Sequence, residues 1–236
     1  AESVALAWRF PGLASKDFEV LQVVSQVLYN GKAGLIDLDL NQQQKVLNSY
    51  GYPMGLADYS AFILGGLPKQ GQTLEEVKDL LLNEIKKLRA GEFDEKMLQA
   101  NINNFKLYEL QSMESNEGRA DIFVNSFING TNWKDEVTAI DRMAKLTKED
   151  IVAFADKYLK EDNYAVVYKK QGKDPNEKKM TKPEITPIVS NRDVASPFLT
   201  SIQENAVRPI EPVFLDFKKD MSQLTAKSDI PVLYKQ

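Results

Sequence analysis

Apolar and polar positions alternate at the start of the chain. Val4, Leu6, Trp8 and Phe10 share one side of an extended segment and Ala5, Ala7 and Arg9 the other; a period of two predicts a half-buried strand. Pro11-Gly12 ends it. From Ser15, a side chain suited to capping, the spacing changes to that of a helix, with Val20, Val23, Val24, Val27 and Leu28 as its stripe. Gly31 suits a left-handed stop and Gly34 a close approach of two backbones. A short helix through Leu35 and Leu38 follows. Lys45–Pro53 reads as extended or turning, and Ala57–Leu67 as a strand in which Tyr59, Ala61 and Ile63 alternate with Ser60, Phe62 and Leu64. Gly65-Gly66 weakens its far end.

The pattern then becomes helical for almost a hundred residues. Thr73-Leu-Glu-Glu76 is a capping box opening a helix with Leu74, Val77, Leu81, Ile85 and Leu88 inside, stopped by Gly91. Asp94 caps the next, with Leu98, Ile102 and Phe105. A third passes Ile122, Phe123 and Phe127 to Asn129-Gly130, a fourth carries Val137, Ile140 and Met143, and Thr147–Asp150 caps a fifth with Ile151, Phe154, Ala155 and Tyr158. Tyr164–Lys170 is a strand again. Helices this apolar on one side need a sheet to cover. The expectation is an α+β fold: a two-layer sandwich of a mostly antiparallel sheet covered by helices, over residues 1–170.

Residues 171–236 differ in kind. They hold seven of the ten prolines (Pro175, Pro183, Pro187, Pro197, Pro209, Pro212 and Pro231). They keep spaced apolar anchors at Ile185, Ile188, Val194, Phe198, Ile202, Ile210, Val213, Phe214 and Phe217, more than a disordered tail carries. They read as an extended arm without a core of its own. The chain begins without methionine and runs into Ile-Pro-Val-Leu-Tyr, a strand just beginning, as expected of a segment from a longer protein.

Composition narrows the chemistry. The 236 residues carry a net charge of −4 with signs interspersed, so no basic stripe invites nucleic acid. No apolar run is long enough to cross a bilayer. There is no cysteine and no histidine, which removes thiolate chemistry, the usual zinc ligand and the usual catalytic base. Asp37-Leu-Asp39-Leu-Asn41 opens like a calcium loop, but Gln42 stands where the loop needs glycine and Asn48 where it needs the closing glutamate, so a solvated helix face is expected. The paired carboxylates Glu75/Glu76, Asp94/Glu95 and Glu149/Asp150 each fall in a first helical turn, where the helix dipole accounts for them. Asn129-Gly-Thr131 matches a glycosylation sequon and, better, a helix stop. Trp8, Phe105, Phe123 and Phe154 fall at core periods.

Beyond this, residues 4–170 resemble the second domain of the insulinase/pitrilysin family of zinc metallopeptidases. The resemblance lies in the strand Val4–Phe10 with Pro11-Gly12, in Val27-Leu-Tyr-Asn-Gly-Lys-Ala-Gly-Leu35, in the extended pair Gly51–Leu67, and in Leu74–Gly91 followed by Glu92-Phe93-Asp94. Ser196-Pro-Phe198 and Ile210–Phe217, leading to Ile230–Tyr234, look like the segment joining the two halves of large family members. The resemblance implies the fold of the LuxS/mitochondrial processing peptidase-like metallohydrolases, a domain boundary near 170, and a linker at 171–236 ending in the next domain's first strand. It implies a noncatalytic domain of an endopeptidase that degrades peptides in an enclosed chamber. It implies zinc in the parent protein, bound by a His-x-x-Glu-His helix elsewhere, and neither catalytic nor metal residues here. It also implies pairing with the parent's own catalytic and C-terminal domains, and bare faces through which the isolated chain would self-associate. By the same resemblance the turn at Gly31 and Gly34 and the stretch around Gly55, Tyr59, Ser60 and Ala61 anchor extended substrate. A catalytically inactive homologue serving as a substrate-binding or structural subunit, or a standalone protein-interaction module, are the alternatives. The parent's compartment stays open between periplasm and cytoplasm.

Overall fold

The computed structural model describes residues 1–173, 180–187, 194–206, 208–209, 211–214, 216–225 and 230–235. Pro175, Ile188 and Ile210, singled out above, lie outside the described residues. The chain divides into two units, Ala1–Glu177 and Lys178–Gln236.

The first unit is built on a four-stranded antiparallel sheet. Its strands are β1 (Ser3–Pro11), β2 (Asn48–Met54), β3 (Tyr59–Leu67) and β4 (Tyr164–Lys169), in spatial order β2-β3-β1-β4. The alternation seen in the sequence sets the register: Trp8 faces Phe62 on one side and Tyr164 on the other, and Leu6 faces Leu64 and Val166. These residues share one face with Val4 and Phe10, and on that face Trp8, Phe10, Phe62 and Leu64 are at most 1% exposed. Helices cover it: α1 (Lys16–Leu28), α2 (Leu74–Arg89) and α7 (Lys148–Tyr158). The fold is therefore the α+β arrangement expected, with helices on one side of an antiparallel sheet.

Local chemistry starts these helices as the sequence suggests. Ser15 caps α1 by accepting the N–H of Phe18, and complete capping boxes open α2 at Thr73/Glu76 and α7 at Thr147/Asp150. Gly65 and Gly66 do more than weaken β3. A side chain at Gly65 would meet the Tyr50 ring at 2.4 Å, and one at Gly66 would meet Val77 at 2.5 Å. Both glycines let neighbours close onto the strand.

Between α2 and α7 lie α3 (Lys96–Ser112), α4 (Asn116–Asn129), α5 (Trp133–Val137) and α6 (Ala139–Met143). Here the sequence reading needs a correction. Phe123 is not on a core face: it is 59% exposed, and its ring stacks on Trp133 at 4.4 Å. Phe127 and Ile128 are more exposed still, and Ser126 is the buried residue of α4. The helical period was right, but α4 turns its apolar stripe outward.

The second unit contains α8 (Pro197–Gln203), capped by Ser196 and begun by proline, and a hairpin of β5 (Ser222–Thr225) and β6 (Pro231–Tyr234). The helix corrects the reading of residues 197–203 as extended; the strand at Pro231–Tyr234 was foreseen and its partner β5 was not.

Candidate functional site

The six residues expected to anchor substrate fall into two groups. Gly31 and Gly34 lie past the C-terminal end of α1. Gly55, Tyr59, Ser60 and Ala61 lie near its other end, where Tyr59 and Ser60 face Pro11 and Phe10 of β1. The thirteen residues of α1 put about 20 Å between the groups.

The first group belongs to a tightly knit turn. α1 stops at Leu28 with Tyr29 extended, so the left-handed Gly31 (φ +77°) sits within the turn rather than at the helix cap. Gly34 is buried, and a side chain there would strike the Leu28 carbonyl oxygen at 2.6 Å. The carboxylate of Asp37 holds the turn by accepting the N–H groups of Asn30 and Gly34 at 2.9 and 3.0 Å, and Asn30 Oδ1 accepts those of Lys32 and Ala33. Asp37 opens a π-helical turn, Asp37–Asn41, and is only 4% exposed. This overturns the solvated helix face expected for Asp37-Leu-Asp39-Leu-Asn41. Asp39 instead takes the Lys87 ammonium at 2.6 Å, and Asn41 Nδ2 donates to the Ser49 carbonyl while its Oδ1 accepts the Ser49 N–H, each at 2.8 Å. Three polar residues that look like ligands are fasteners between the turn, α2 and β2.

Lys87 also meets Glu84 at 2.9 Å. The Lys87 hydrogen bond holds the Asp39 carboxyl below its ordinary value, whereas burial pushes Glu84 up; Glu84 is 1% exposed and its Oε2 has no partner among the described residues. Two carboxylates on one ammonium are thus driven in opposite directions.

In the second group, Gly55 is a packing site: a side chain there would collide with Leu13 at 2.1 Å. Ser60 is buried, and its hydroxyl has no hydrogen-bond partner among the described residues. Tyr59 is 55% exposed, with the Arg9 guanidinium 3.6 Å above its ring. Ala61 faces Arg9 on β1 and Met54 on β2, on the side of the sheet away from the helices. β3 is an interior strand, so Tyr59–Ala61 do not lie on an outer edge strand; pairing with β2 reaches Ala61 but not Tyr59 or Ser60.

The outer edge beside them belongs to β2, and it is guarded. Asn41 occupies the outward N–H and C=O of Ser49 like a short piece of strand. Pro53, at the same parity, has no N–H to offer. Gly51 is left as the open position between them. Asn41, which the sequence suggested only as part of a solvated helix face, thus governs this edge. The signal was its place as the third member of the Asp-x-Asp-x-Asn run.

The opposite face of the sheet has a different character. Ala5, Ala7, Ala61, Ile63, Ala165 and Val167 form a floor of small and branched residues, bordered by Tyr50, Tyr52 and Tyr59. No described helix of Ala1–Glu177 packs on it, and Val167 is 65% exposed. Among the described residues no group of three or more His, Cys, Asp or Glu side chains could hold a metal ion. No helix among them is long and apolar enough to cross a membrane. What these surfaces offer is contact rather than chemistry.

Comparison with known proteins agrees with this inventory. Residues 1–105 match the family described as the Peptidase M16 inactive domain. A Helicobacter pylori protein named zinc protease PqqE is 27% identical over 174 residues, covering 72% of this chain and 38% of the relative. A crystal structure of a protease from Helicobacter pylori superposes with a TM-score of 0.66 at 22% identity, over 71% of this chain and 40% of that one. The inactive peptidase domain of a Bordetella parapertussis protein gives 0.65 at 18% identity, over 74% and 94%. The chain thus spans about two fifths of the length of the two Helicobacter pylori proteins. Residues 1–105 are thus similar to the inactive domain of the M16 peptidases, in agreement with the resemblance seen in the sequence.

Proposed function

We propose that this chain is the noncatalytic domain of a zinc-dependent endopeptidase that degrades peptides in an enclosed chamber, and that its open sheet face packs against another domain of the parent protein or lines that chamber. The observation that carries the reading is the one-sided sheet: a floor of alanine, isoleucine and valine with no described helix of its own unit over it. Zinc and the catalytic base come from elsewhere in the parent, since this chain has no histidine. Substrate anchoring narrows to the candidates with a surface to offer. These are Tyr59 and Ala61 on the open face and the exposed Gly31, while Gly34, Gly55 and Ser60 serve packing.

The test is reconstitution. The chain alone is expected to cleave no peptide and bind no zinc stoichiometrically, and to form a complex with the separately produced remainder of its parent. Ile63→Glu, which puts a charge in the middle of the open face, should weaken that complex about tenfold or more. Stoichiometric zinc binding by the chain, or a complex indifferent to Ile63→Glu, would refute the assignment. Loss of peptide capture, without loss of the complex, in Tyr59→Ala would support the anchoring role.

A further inference from the structure

The two outer edges of the sheet are treated differently. β2 is blocked by Asn41 and Pro53. β4 is not: among the described residues nothing hydrogen-bonds to its outer side, and it contains no proline, no glycine and no inward charge. Its side chains are open as well, with Val166 38% and Val167 65% exposed. From Tyr164 to Tyr168 the edge is uncharged and unguarded, with Lys169 as the only charge at its end, and such an edge is a template for another strand.

We propose that β4 pairs antiparallel with β4 of a second copy of this chain, joining two four-stranded sheets into one of eight. The strand is self-complementary. Tyr164-Ala-Val-Val-Tyr168 is nearly a palindrome about Val166. Antiparallel partners must point to the same face, and a two-fold axis at Val166 satisfies this. It sets Tyr164 opposite Tyr168 of the second copy and Ala165 opposite Val167, so aromatic meets aromatic on the helix side and small apolar meets branched apolar on the open side. Just beyond the strand the same register brings Asp162 toward Lys170 of the second copy, twice over. No like charges oppose each other within it. The open faces of the two copies then run together as one surface. The interface is small, so the dimer forms with a dissociation constant of micromolar order.

The test uses the full 236-residue chain. Sedimentation should show a dimer that dissociates on dilution. Two double variants sharpen it: Ala165→Lys with Val167→Lys, and Ala165→Glu with Val167→Glu. Each position is exposed, so folding is expected to survive and circular dichroism checks it. Each double variant alone sets like charges across the axis and should sediment as a monomer. An equimolar mixture should restore the dimer. A wild-type chain that stays monomeric as its concentration rises, double variants that dimerise as well as wild type, or a mixture that stays monomeric would each overturn the proposal. In the first case the edge is left for another segment of the parent or for an extended peptide.

Discussion

Phe62 and Ile63 are neighbours on one strand and live in different surroundings. Phe62 is fully buried under the helices; Ile63 points to the uncovered face and is only half-buried. The covered face is assembled from large residues that fill space, Trp8, Phe10, Phe62 and Leu64. The open face is assembled from small ones, with tyrosines at its border. The first pattern closes a core. The second leaves a floor low enough for another layer, the feature on which the proposed packing against another domain rests.

The comparison can be broken most forcefully on the covered side. Phe62→Ala should lower unfolding free energy by about 3–5 kcal/mol, measured by urea denaturation, because a ring-sized cavity remains. The edge between the two faces comes next. Asn41→Ala strips Ser49 of its outward partners and should cost about 1–3 kcal/mol. It should also speed hydrogen exchange at Ser49 more than at the interior strands. Ile63→Ala should cost about 1 kcal/mol, since part of the side chain already meets water; a loss equal to that of Phe62→Ala would show that the open face is a second core. The smallest effect concerns charge beneath the covered side. The buried Glu84 carboxyl has its folded pKa raised above the ordinary 4.5, so its contribution is full below that value and lost as pH rises through the raised one. Glu84→Gln should therefore gain melting temperature relative to wild type between about pH 4 and pH 7. Asp39 runs the other way. Its lowered pKa gives a contribution present above the ordinary 3.8 and lost as pH falls, so Asp39→Asn should lose more at neutral than at acid pH.

The covered face was legible because burial on one side leaves a period in the sequence. Val4 through Phe10 and Leu74 through Leu88 announce their elements, and Ser15, Thr73 and Thr147 announce where helices begin. The α4 stripe misled for the same reason. A helix whose apolar stripe faces outward has the same period as one whose stripe meets its own core, so Phe123 and Phe127 looked internal. The candidate site was less legible still. Whether Tyr59–Ala61 lie at an edge depends on which strand flanks β3, a long-range fact absent from local pattern. That Asp37, Asp39 and Asn41 fasten the turn depends on partners as far away as Lys87. Conversely, the close approach at Gly34 was readable, because a residue without a side chain between two helices has few other uses.

The pairing of β1 with β4 has a consequence for biosynthesis. Trp8 Nε1 donates to the Lys160 carbonyl across 152 residues, and the β1–β4 ladder closes from Trp8↔Tyr164 to Ser3↔Lys169. On the ribosome β1 can pair with β3 once Leu67 has emerged. Its other side then waits for β4, on the order of ten seconds at ordinary rates of synthesis. Throughout that interval Val-Ala-Leu-Ala-Trp is an open apolar strand at the nascent sheet's border. A chain terminated before Tyr164 would keep that border permanently. Such a product is expected to associate with chaperones or with its own kind, and the six residues of β4 end the exposure of β1.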